Sequence, residues 1–84
     1  MPEQAIGSVI HYFGKIGVAG LKLTGKLKVG DTIRFKGHTT DFTQVVDSMQ
    51  VNNVVVQEGN PGDDIGMKVK DRVRTGDEVL LVTP

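Results

Sequence analysis

A chain of 84 residues with ten Lys/Arg, ten Asp/Glu and no cysteine has room for one small core and no second domain. That composition excludes a disulfide framework and a thiolate zinc site, and no apolar run approaches the ~20 residues of a membrane-spanning helix. The balanced charge is segregated: Met1 to Lys36 holds six bases against two acids, Gly37 to Met67 five acids and no base, and the remainder four bases against three acids.

Taken in chain order, nearly every segment has a period close to two, the mark of strands with one buried face. Residues 1–4 are expected to be a flexible N-terminus. "AIGSVIHYF" (Ala5 to Phe13) is a strand rich in β-branched and aromatic residues, closed by Gly14. "IGVAGLKLT" sets Ala19, Leu21 and Leu23 against Gly20 and Lys22, and "DTIRFKG" sets Ile33 and Phe35 against Thr32, Arg34 and Lys36. "TDFTQVVDSMQV" reads as one strand with Val45, Met49 and Val51 inward; "NVVVQEG", "DIGMKVK" (Ile65, Met67 and Val69 inward) and "DEVLLV" (Val79 and Leu81 inward) follow. Nothing has helix caps and helical periodicity together. About seven short strands in so small a chain predict an all-β fold, a small closed antiparallel β-barrel, since closure removes exposed edges.

Three strands are preceded by Gly-Asp: Gly30-Asp31, Gly62-Asp63 and Gly76-Asp77. A phosphate-binding loop needs G-x-x-x-x-G-K-[ST] ahead of a helix, which neither "FGKIG" nor "TGKLK" supplies, so no nucleotide is expected. The segments between the pairs do not align as repeats. The remaining reading is architectural: glycine takes positive φ where the chain reverses, and the aspartate accepts a nearby backbone N–H.

With those corners in order, the chain resembles the second domain of translational GTPases such as elongation factor Tu, a small β-barrel. The resemblance rests on Lys28-Val29-Gly30-Asp31, Gly62-Asp63-Asp64-Ile65-Gly66 and Arg74-Thr75-Gly76-Asp77, and covers roughly Ala5 to Pro84. "HYFGKIGVA", "KGHTTDFTQ" and "DSMQV" are similar to free-standing translation elongation factor-like proteins, and to a barrel appended to collagenase-type peptidases. The GTPase domain is absent. Two positions that serve the tRNA 3′ end in the translation factors differ, with Ser48 replacing a glutamate and Lys68 a leucine.

Candidate chemistry is sparse. His38 and Asp41 are too few for a metal site, Asp63-Asp64 lacks the alternating oxygens of a calcium loop, and no catalytic triad can be assembled. The chain is therefore expected to be non-enzymatic, with no cofactor and no metal. The basic residues Lys22, Arg34, Lys36, Lys68 and Lys70 all point away from the core by strand parity. If their strands are neighbours they form one face able to follow a phosphate backbone. With the resemblance, this predicts an RNA-binding module contacting tRNA, rRNA or a ribosome-associated protein. The alternative is protein–protein docking through His11, Tyr12, Phe13 and Phe42, as an accessory barrel for an enzyme. No membrane contact is expected. A cytoplasmic location is expected from the missing cysteines and leader.

Overall fold

The computed structural model describes residues 3–83. Its strands are β1 (Glu3–Phe13), β2 (Val18–Leu23), β3 (Leu27–Lys28), β4 (Thr32–Lys36), β5 (Asp41–Val45), β6 (Met49–Val51), β7 (Val54–Val56), β8 (Glu58–Gly59), β9 (Asp64–Lys68) and β10 (Glu78–Val82). Eight form one antiparallel sheet in the order β5-β4-β10-β1-β2-β9-β6-β7, and β3 pairs with β8. The all-β class stands. Of the four residues expected to be flexible, Glu3 and Gln4 are strand residues opposite Val82 and Leu81, and Met1 and Pro2 lie outside the described residues.

Alternation places the core as the pattern requires. Ala19, Leu21 and Leu23 of β2, Ile33 and Phe35 of β4, Ile65 and Met67 of β9, and Val79 of β10 are all buried. β1 serves two partners, β10 and β2, and its register slips between Ala5 and Gly7 on one side and between Val9 and His11 on the other. Such bulges bend a strand and increase its twist, which curls the sheet around its core. Gly7 leaves room for β2 beside it; a Cβ there would lie 2.6 Å from the Lys22 carbonyl oxygen.

The three Gly-Asp corners are one device used three times. Each closes a four-residue turn in which the aspartate N–H donates to the first residue's carbonyl: Asp31 to Lys28 at 3.1 Å, Asp63 to Asn60 at 3.0 Å, and Asp77 to Arg74 at 3.0 Å. In return each aspartate Oδ2 accepts the first residue's N–H, at 2.9, 3.0 and 2.9 Å respectively. The third residues, Gly30, Gly62 and Gly76, have φ of 97°, 93° and 95°, as the third position of a type II turn requires.

Two features differ from the sequence-based expectation. The stretch 41–51 is two strands, because β5 ends at Val45 and the chain leaves the ladder: Val46 N–H donates to the Asp31 carbonyl, and the Val46 carbonyl accepts from Gly30. This turns Val46 inward, while Val45 is 51% exposed. Second, the sheet is not closed by a ladder, since β5 and β7 are its edges. Gln44 of β5 spans the seam to the end of β9. Its Nε2 donates to the Lys68 carbonyl at 2.9 Å, and its Oε1 accepts from the Lys70 N–H at 3.0 Å. A side-chain amide thus acts as a single peptide unit of the missing ladder.

Candidate functional site

The basic residues do not assemble into one face. β10 and β1 lie between β4 and β2, so Arg34 and Lys36 are separated from Lys22 by two strands. Lys22 faces Asp64 across the β2–β9 ladder, with Nζ 3.3 Å from Oδ1. Arg34 is held by Asp41 at 2.7 and 2.8 Å, and its Nη1 reaches Glu3 Oε2 at 3.1 Å. The hydrogen bonds that Arg34 donates to Asp41, then to Glu3, raise the Arg34 pKa, and the bond accepted from Arg34 lowers that of Asp41. Lys36 stands between Asp41 and Glu78 in register. Lys68 and Lys70 lie at the seam and make no ion pair among the described residues.

The aromatic group also divides. His11 and Phe13 project outward from β1 with ring centroids 6.0 Å apart. Tyr12 and Phe42 are half-buried against the core, Phe42 stacking on Phe35 at 5.1 Å. His38 is exposed in the β4–β5 turn, and no cluster of three or more metal-ligating His, Cys, Asp or Glu occurs among the described residues.

What the fold does assemble is a trough along the outer face of β9. Cross-strand pairing sets Gly66 between Gly20 of β2 and Gln50 of β6. A Cβ on Gly66 would meet only Val18 Cγ1, at 3.9 Å, so the floor is bare backbone. One wall is apolar, with Phe13 (52% exposed), Ile16 (64% exposed) and Val18; the other is polar, with Gln50, Asn52 and Asn53. This part encloses about 390 Å³. It shares Ile16, Val18, Gln50 and Gly66 with a second depression of about 290 Å³ that adds Ser48, Met67 and Lys68. Lys68 in turn belongs to a third, of about 380 Å³, reaching across the seam to Gln44, Val45 and Lys70.

Apart from the trough, the fold exposes apolar residues that the alternating pattern does not mark: Val54 and Val55 of "VVV" at 54–56 are 61% and 62% exposed. Their hairpin turns through Asn52 and Asn53, at φ of 53° and 66°, the left-handed pair of a type I′ turn. Adjacent strand residues face opposite ways, so the start of β7 is uncovered on both faces, while Val56 at its end packs against the core. The available signal was the run from Ser48 to Gln57, ten residues without a single charge.

No family model matches the chain. It is 41% identical over 78 residues, 92% of its length, to an uncharacterized protease of Methanocaldococcus jannaschii, and 33% identical over 76 residues to a collagenase of Porphyromonas gingivalis. The chain spans about a fifth of each of these relatives, 19% and 21% of their lengths. Among solved structures it superposes with a TM-score of 0.90 on the C-terminal domain of a Geobacillus thermoleovorans protein described as a U32 peptidase. That match covers 95% of this chain and 93% of that one at 20% identity. The crystal structure of that domain's selenomethionine variant gives 0.86 at 22% identity, over 90% of this chain and 96% of that one. These findings overturn the expectation of a translation elongation factor-like, RNA-binding module working on tRNA, rRNA or the ribosome. The corners that carried that resemblance are backbone turns, and the continuous basic face it needed is interrupted by β10 and β1. The chain is thus a β-barrel relative of a segment found in proteases and collagenases, with the fold of a peptidase C-terminal domain.

Proposed function

We propose that this chain is a non-catalytic accessory barrel for a collagenase-type peptidase, acting by docking polypeptide. The observation that carries the reading is the similarity over 92% of the chain to one fifth of a protease. An appended fifth of an enzyme serves most simply to hold a partner or substrate beside the remaining chain. The exposed apolar residues Phe13, Ile16, Val54 and Val55 support it, because they give a docking surface little desolvation cost. The lack of cysteine fits a reducing, cytoplasmic setting.

The test is affinity capture with cross-linking from the source cells, using the wild-type chain beside an Ile16→Asp/Val55→Asp variant, with captured chains identified by mass spectrometry. A collagenase-type peptidase held by the wild type and lost from the variant is the expected result. Capture of ribosomal components alone, or cleavage of labelled casein or gelatin by the purified chain itself, overturns the proposal.

A further inference from the structure

The trough over β9 has a direction. At one end its only acid, Asp64, is already paired with Lys22, and the neighbouring walls are the apolar Phe13, Ile16 and Val18 and the amides Gln50, Asn52 and Asn53. At the other end Lys68 and Lys70 stand without ion-pair partners among the described residues, with Asp47 the one acid lining that part. The basic character continues beyond the end of β9, where Lys70 and Arg72 line a further depression with Asp71, beside Tyr12 and Gly17. From Gly66 to Lys70 an extended backbone covers about 13 Å, or four residues at roughly 3.3 Å each.

We infer that this trough binds an extended polypeptide segment, with an apolar side chain seated over Gly66 against Ile16 and Val18 and acidic residues about four positions away on Lys68 and Lys70. The inference deepens the accessory-barrel reading and rests on it for the class of partner. Three properties select such a ligand. The bare backbone at Gly66 allows close approach that any larger residue would block. Glutamine and asparagine side chains along one wall can donate to and accept from a peptide backbone. The unpaired lysines supply charge complementarity at one end only, which fixes the segment's orientation.

Random twelve-residue peptides displayed on phage are selected on the full 84-residue chain, and the enriched sequence is then titrated as a fluorescein-labelled peptide. The expected consensus has an apolar or aromatic residue and an Asp or Glu about four positions apart. Gly66 has no positive φ and its Cβ has room, so Gly66→Leu folds and fills the trough, weakening binding at least about tenfold. A Lys68→Glu/Lys70→Glu variant loses roughly five- to thirtyfold for the acidic peptide, the effect of two exposed charges. Circular dichroism and urea midpoints confirm that both variants fold.

No enrichment, or a consensus that binds Gly66→Leu equally well, overturns the inference. So does concentration-dependent dimerisation lost in Ile16→Asp with no peptide selected, which assigns the trough to a second copy. Because the selection contains no peptidase, its outcome is independent of the capture experiment. A failed selection beside a captured peptidase removes only the trough, and a selected peptide with no captured peptidase removes only the enzyme partner.

Discussion

Replacing Gln44 tests how the barrel is held shut. Its side chain makes two hydrogen bonds to main-chain groups at the end of β9, 2.9 Å to the Lys68 carbonyl and 3.0 Å from the Lys70 N–H. A net hydrogen bond contributes ~0.5–1.5 kcal/mol, and these are exposed, so water takes over part of each when the amide is removed. Gln44→Ala therefore costs about 1–2 kcal/mol, or roughly 5–15 °C in Tm for a domain of this size. The loss is local, because β9 keeps its ladders with β2 and β6. Amide exchange at Lys70 should accelerate by about 5- to 30-fold, matching that energy, while Leu21 and Phe35 in the core exchange only through global unfolding.

Gln44→Glu separates the two bonds. The carboxylate still accepts from Lys70 N–H but has no donor for the Lys68 carbonyl, and its charge is favoured by the two lysine side chains nearby. Its stability should fall between those of the wild type and the alanine variant. Urea unfolding gives the energies, and hydrogen exchange followed by NMR locates them. An alanine variant with unchanged Lys70 exchange and unchanged midpoint refutes the idea that this amide substitutes for a missing strand pair.

Three other outcomes follow from the same geometry. Alanine at Gly30, Gly62 or Gly76 meets no atom within 4 Å, so each substitution costs only the left-handed backbone, about 1–2 kcal/mol in urea unfolding. Gly7→Ala should cost more than any of them, because its Cβ would press on the Lys22 carbonyl. Asp77 is 6% exposed and Asp31 is not buried; Asp77→Ala should lose about 1–3 kcal/mol and Asp31→Ala nearer 1, and equal losses count against burial as the cause. The Arg34 bond lowers the Asp41 pKa, so its contribution is full above the ordinary carboxylate range and disappears as pH falls through the folded value. Wild type and Asp41→Asn should differ in stability at neutral pH and converge in acid; divergence on acidification contradicts that sign.

How much was legible in the sequence varies along the chain for physical reasons. Ile33 and Phe35, and Ile65, Met67 and Val69, are buried as a period of two demands, since a strand packed on one face leaves no alternative register. Val45 and Val46 defeated the same reasoning. Counting back from Met49 and Val51 puts Val45 inside, but the chain changes partners at this point and Val46 takes the core position beside the Gly30 corner. Two adjacent valines carry no mark of which one turns inward. The cations pointed outward as parity required, yet strand order decides which of them meet. A single sequence does not encode in any local pattern that β10 inserts between β4 and β1.

The Gly-Asp corners explain why a resemblance to translation factors that rested on them did not identify the partner. Each is complete within four residues: a glycine with positive φ, a backbone bond across the turn, and an aspartate that returns to the first N–H. Such a unit serves any barrel that must reverse its chain there, whatever the barrel touches.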